Sequence, residues 1–127
     1  MRVRYAMVCL LLAACSGHDA RPLVVTESDN GKPISLASNG EFLLHLVSNP
    51  TTGFRWQWQP ELPAAISCKE LPFASSNSDS GIVGAPGEQQ WLCRVAAAGS
   101  YTIALDYRRS WEKVPAARRF SLTLQVR

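Results

Sequence analysis

The chain has 127 residues, 46% apolar and 18% charged, with a formal net charge of +3. That length holds one domain with a sizeable core. Without an amino-terminal segment carrying Arg2 and Arg4 the balance falls to about +1, with no basic stripe, so nucleic acid has no electrostatic footing here.

The chain opens with an addressing signal. Arg2 and Arg4 form a positive n-region, and Met7 to Leu12 make an apolar h-region too short to span a bilayer. Leu12-Ala13-Ala14-Cys15 closes it and resembles a bacterial lipobox, in which cleavage precedes the cysteine. The expectation is a lipoprotein signal peptide over 1–14, a lipidated Cys15 that anchors the protein to a membrane, and a polar tether over 15–22. Ser16 resembles the sorting pattern for the outer membrane, so an exported bacterial lipoprotein on its periplasmic or surface face is expected.

From residue 23 to 127 the pattern has period two. Leu23-Val24-Val25-Thr26 opens a strand that Asn30-Gly31-Lys32-Pro33 ends with strong turn chemistry. Ile34 to Ala37 is a short second strand, closed by the Ser38-Asn39-Gly40 turn. Phe42, Leu44 and Leu46 alternate with Leu43, His45 and Val47, which predicts a central strand apolar on both faces. Phe54, Trp56 and Trp58 alternate with Arg55, Gln57 and Gln59 until Pro60 and Pro63 break the run. Ile66, Cys68 and Leu71 form another apolar set. Residues 74–88 are polar and glycine-rich and predict a long loop. Trp91, Cys93 and Val95 resume the alternation, followed by Tyr101, Ile103, Leu105 and Tyr107 on one face. After a loop over 108–117, Phe120, Leu122, Leu124 and Val126 line the last strand. No window holds a helical period. Short strands with turns every eight to twelve residues predict an all-β, immunoglobulin-like antiparallel β-sandwich.

Four cysteines reduce to two that matter for the fold. Cys9 lies in the signal and Cys15 takes the lipid, which leaves Cys68 and Cys93 on the apolar faces of their strands. Two cysteines in an exported chain pair far more often than they bind metal, so a structural disulfide is expected. Closing a loop of about 25 residues contributes roughly 3 kcal/mol on the chain-entropy model.

The stretch Asn49-Pro50-Thr51-Thr52-Gly53-Phe54 joins two of the strands. Asn-Pro initiates a turn, Pro50 fixes φ, and Gly53 permits a backbone geometry that other residues avoid. Two stiff β-branched threonines between them carry hydroxyls and no titratable group. Such a loop suits insertion into another molecule's cleft and does not suit catalysis. In a sandwich, alternate connections emerge at one end, so this loop, the 74–88 loop and the 108–117 loop are expected to face the same way. The third carries Trp111 beside Arg109 and Glu112, either as a minor core anchor or as an exposed hot spot.

Asn49-Pro50-Thr51-Thr52-Gly53-Phe54, Gly84-Ala85-Pro86-Gly87 ahead of Trp91, and Arg109-Ser110-Trp111 resemble, in order and spacing, the three signature segments of the chagasin-type inhibitors of cysteine peptidases. Ser110 stands where that pattern has proline. The resemblance implies an immunoglobulin-like sandwich and a tight, reversible, competitive inhibitor of papain-like cysteine peptidases. It places Thr51 and Thr52 in the catalytic cleft, Gly84 to Gly87 along the non-primed side and Trp111 on the primed side, with Arg109 beside it. A monomer is expected.

Other classes have less support in the residues. His45 sits within an apolar strand and His18 in the tether, and no nucleophile–base set or paired carboxylates stand out, so no enzyme is expected. Two histidines and one cysteine pair show no ligand spacing, so neither metal nor cofactor is expected. The alternative is a surface lipoprotein module that binds protein or carbohydrate on Trp56, Trp58 and Trp111, although Trp56 and Trp58 read more simply as core.

Overall fold

A computed structural model describes residues 21–75 and 87–127. The signal segment, Cys15, and Gly84, Ala85 and Pro86 of the second loop lie outside these residues. Among the described residues nine strands follow in chain order: β1 Leu23–Thr26, β2 Pro33–Leu36, β3 Glu41–Ser48, β4 Arg55–Trp58, β5 Ile66–Glu70, β6 Ala74–Ser75, β7 Gly87–Val95, β8 Gly99–Arg108 and β9 Arg118–Val126. They form two sheets. One runs β1-β3-β7-β5, with β6 also pairing β7, and the other runs β2-β9-β8-β4.

The alternation does its expected work. Phe42, Leu44 and Leu46 of β3 and Trp91, Cys93 and Val95 of β7 face inward from the first sheet. Ile103 and Leu105 of β8 and Phe120, Leu122 and Leu124 of β9 meet them from the second. Each fully buried aliphatic or aromatic side chain contributes about 1.5 to 3 kcal/mol, so this double layer holds the sandwich together. His45 sits on the outer face of β3, with its Nδ1 3.4 Å from Glu88 Oε2, the satisfied strand residue expected of it.

Three features depart from the predicted pattern. The edge strands β1 and β2 pair in parallel with β3 and β9, whereas every other strand pair, including the opposite edges β5 and β4, is antiparallel. The turn Glu27–Asp29 carries the chain from the first sheet to an edge of the second, and a chain that changes sheet has no hairpin to impose antiparallel pairing. The 74–88 loop is shorter than predicted, because Ala74–Ser75 pairs with Gly87–Glu88. Glycine at 87 hid a strand start that the ladder to Val47 and Ser48 imposes. Finally, the outer face of β3 is not closed over, and Val47 remains 46% exposed.

Cys68 and Cys93 are bonded. They are direct cross-strand neighbours on β5 and β7, so the bridge ties an edge strand to its own sheet and does not join the two layers. β1 begins beside Phe42 near the start of β3, whereas the Asn49–Phe54 turn leaves from the other end of that strand.

Candidate functional site

Register fixes where the loops emerge. Ser48, the last residue of β3, pairs with Gly87, the first of β7. Arg55, the first of β4, pairs with Arg108, the last of β8, and Tyr107 pairs with Arg118 at the start of β9. The 49–54 turn, the chain ends flanking residues 76–86, and the 109–117 loop therefore share one end of the sandwich. The turn also crosses from one sheet to the other, which alternation in the sequence does not reveal.

The turn is wound tightly. Pro50–Thr52 is a single 3-10 turn, in which the Thr52 N–H donates to the Asn49 carbonyl at 3.2 Å and the Gly53 N–H to the Pro50 carbonyl at 3.1 Å. Gly53 ends it with φ 81°, in the left-handed region that glycine enters without a Cβ penalty. The Thr51 hydroxyl donates to Asn49 Oδ1 at 2.6 Å, and the Thr52 hydroxyl to the Asn49 carbonyl at 2.7 Å. Both threonines are exposed, yet both hydroxyl protons are engaged inside the turn. Outward they present acceptor lone pairs and methyl groups, not the donors that the residue type alone suggests.

Residues distant in sequence brace this turn. The Arg109 Nε–H donates to the Thr52 carbonyl at 2.8 Å, and its Nη1 reaches Glu112 Oε1 at 2.8 Å. The same guanidinium lies 4.4 Å from the Phe54 ring centroid, and Phe54 stacks on Tyr107 at 5.3 Å. The Tyr107 hydroxyl accepts the Asn49 N–H at 3.0 Å, so one aromatic stack anchors both ends of the turn. Phe54 is thus a half-buried strut. Arg108 Nη2 donates to the carbonyls of Glu112 and Val114, both at 3.3 Å, and so folds the third loop back on itself.

Below the turn, the sheets are clamped together by polar groups. The Trp56 indole N–H donates to the Val47 carbonyl at 2.9 Å, and the Trp56 backbone N–H donates to buried Gln89 Oε1 at 2.8 Å. Glu27 accepts the Val47 N–H and pairs with Arg118, whose guanidinium lies 5.3 Å from the Trp56 ring. These contacts remove Trp56 from any binding platform. Trp58 is half-buried against Trp91 at 5.7 Å, which leaves Trp111 as the single large exposed indole among the described residues.

Trp111 is 68% exposed and its ring lies against Gly53, an exposed site and not a core anchor. Gly87 is buried at the head of β7 beneath the Phe73 ring, so it seats an aromatic and is not itself displayed. Phe73, 40% exposed at the same end, escaped the sequence reading because Pro72 interrupts the alternation around it. Among the described residues no group of His, Cys, Asp or Glu could hold a metal ion.

A family model described as chagasin family peptidase inhibitor I42 matches residues 35–126, which span all three loop segments. The chain belongs to the chagasin family of peptidase inhibitors. It is 35% identical over 91 residues to chagasin of Trypanosoma cruzi, covering 68% of this chain and 81% of that one. It is 29% identical to amoebiasin-2 of Entamoeba histolytica, covering 88% and 89% of the two chains. A crystal structure of a cysteine protease inhibitor from Entamoeba histolytica superposes with a TM-score of 0.73 at 26% identity, covering 83% of this chain and 95% of that one. Membership of a family of inhibitors bears out the non-enzymatic reading, and the chagasin-type architecture accounts for both sheets.

Proposed function

We propose that this protein is a reversible, competitive inhibitor of papain-like cysteine peptidases and acts by inserting the Asn49–Phe54 turn into the catalytic cleft. The observation that carries this reading is the bracing of an exposed Thr51–Thr52 turn by Arg109 and Trp111 from a loop nearly sixty residues away. Bracing of this kind lowers the ordering cost of binding, which is where affinity at constant contact area arises. Family membership and the likeness to the Entamoeba histolytica cysteine protease inhibitor support the same partner class.

The geometry also explains how such a loop would resist cleavage. A peptidase aligns its substrate in extended form and adds it to its own backbone hydrogen bonds. The Pro50–Thr52 segment would have to break its two backbone bonds and both threonine bonds before extending. The Thr52 carbonyl is already held by Arg109, which keeps the Thr52–Gly53 bond from presenting its oxygen to an oxyanion hole. Thr51 and Thr52 occupy the cleft and Trp111 flanks it on one side; the resemblance to the family's second signature segment assigns Gly84 to Gly87 to the other. An inhibition assay of the purified protein against papain tests the proposal. Competitive inhibition with the Thr51–Thr52 bond intact is expected, and absence of inhibition at micromolar protein would overturn it.

We further propose that the chain is an exported lipoprotein held at the outer membrane through Cys15, on the strength of the Leu12–Cys15 segment. Cys15→Ser should move the protein out of the membrane fraction or block its processing. Unchanged fractionation, with an unmodified amino terminus by mass spectrometry, would count against the anchor.

A further inference from the structure

Two glycines at the loop end each receive an aromatic ring. Trp111 lies on Gly53, and Phe73 lies on Gly87, where a Cβ would come within 2.8 Å of the Phe73 Cε1. Both rings remain substantially exposed, at 68% and 40%. They reach the loop end from different sheets, because Trp111 comes from the β8–β9 loop and Phe73 from the β5–β6 connection. Beside Phe73 a cavity of about 290 Å³ opens between that ring, Pro50 and Leu71, with Ser48, Arg55, Glu70 and Gln89 completing its wall. Pro50 belongs both to the turn and to this wall, so the cavity is continuous with the proposed inhibitory surface.

We infer that this cavity accepts one uncharged, largely apolar side chain from the rim of the bound peptidase's cleft, with Phe73 as a second aromatic anchor in addition to Trp111. The inference rests on the inhibitor reading and deepens it. Charge selects the occupant, and at about 290 Å³, the lower end of the roughly 300 to 1,000 Å³ range of ligand pockets, the cavity has ample room for one side chain. Its two charged groups are already matched, with Arg55 Nη2 donating to Glu70 Oε1 at 2.7 Å. A cation or anion entering would have to compete for a partner that is taken, whereas an apolar side chain meets Pro50, Leu71 and the Phe73 face without disturbing the pair. Phenylalanine adds contact area with few rotatable bonds, and the seat on Gly87 restrains the ring before the partner arrives.

The test is kinetic, with papain as the probe. Dissociation would be followed for the parent, Phe73→Ala, Leu71→Trp and Thr51→Asp, with circular dichroism and melting temperature for each. Phe73→Ala removes the anchor, and Leu71→Trp plugs the cavity while leaving Phe73 and Gly87 in place. Both should dissociate at least tenfold faster than the parent with the fold retained, and Phe73→Ala should multiply the effect of Trp111→Ala, since the two rings come from different sheets. If Leu71→Trp fails to fold, Phe73→Ala decides. Dissociation of the folded variants within twofold of the parent, while Thr51→Asp abolishes binding, would overturn the pocket and leave the inhibitor reading standing. Parental binding by Thr51→Asp as well would remove both.

Discussion

The Trp111 indole lies directly on the backbone of Gly53, so that a Cβ built there would sit 3.0 Å from Cζ2 and closer still to the next ring carbon. Gly53 therefore does two jobs at once. It closes the turn in a left-handed conformation, and its missing side chain makes room for the ring. Gly53→Ala should cost roughly 1 to 2 kcal/mol of turn stability from the positive φ alone, and should also displace the indole. Chemical denaturation will read the first effect. The second should appear as a change in Trp111 fluorescence and faster release of papain.

Thr51 and Trp111 divide the proposed binding energy between cleft and flank. Thr51→Asp buries an unpaired charge in the complex, at a cost of several kcal/mol, and should weaken papain binding by orders of magnitude with the fold intact. Trp111→Ala should cost about 2 kcal/mol, mostly through faster dissociation. Parental kinetics in both variants would mean that these loops are not the inhibitory surface.

Arg109 touches the turn through a bidirectional fork: one bond to the Thr52 carbonyl, one to Glu112, and its face over Phe54. An ammonium keeps the charge but cannot hold all three. Arg109→Lys should therefore loosen the turn and weaken binding by roughly 1.5 to 3 kcal/mol, the range for a charged hydrogen bond, with little change in melting temperature. Equal loss of binding and of global stability would assign Arg109 to the fold and not to the turn.

Ser110 follows Arg109 in an exposed loop, and its N–H makes no hydrogen bond among the described residues. Proline there removes freedom from the unfolded chain without removing a bond. Ser110→Pro should stabilise the loop by about 0.4 to 1 kcal/mol, and papain should leave more slowly or at the parental rate. Faster release would indicate that the backbone at 110 or the preceding Arg109 must bend away from what proline allows.

Reduction of the Cys68–Cys93 bridge should lower the melting temperature, by an amount corresponding to roughly 3 kcal/mol on the chain-entropy model. Because the bridge lies within one sheet, away from Arg109 and the Thr51–Thr52 turn, inhibition at low temperature should persist. Loss of inhibition in a reduced but folded protein would show that β5 governs the loop end.

Strand alternation made much of this fold legible. Phe42, Leu44 and Leu46, or Phe120, Leu122 and Leu124, announce their inward face because burial acts on every second residue. Counting strands also brought the loops to one end. What alternation cannot carry is the pairing of distant polar groups. Nothing in the sequence joins Arg109 to the Thr52 carbonyl, or Glu27 to both Val47 and Arg118, because these contacts depend on where two sheets meet. The threonine hydroxyls illustrate the same point at short range. Residue type predicts donors for a partner, whereas the fold turns both protons back onto Asn49. Phe73 was hidden for a different reason, since Pro72 directly before it erases the periodic signal that marks its neighbours.

The parallel pairing of β1 with β3 has a practical consequence for attachment. The described chain enters at Arg21, beside the start of β3, and β3 then runs eight residues, roughly 25 Å, to the Thr51–Thr52 turn. The point of entry at Arg21 is therefore a handle on the base of the molecule. A bead or a fused reporter joined at that entry stands a full strand away from the Thr51–Thr52 turn. A peptidase arriving from solution would meet the turn first and the support last.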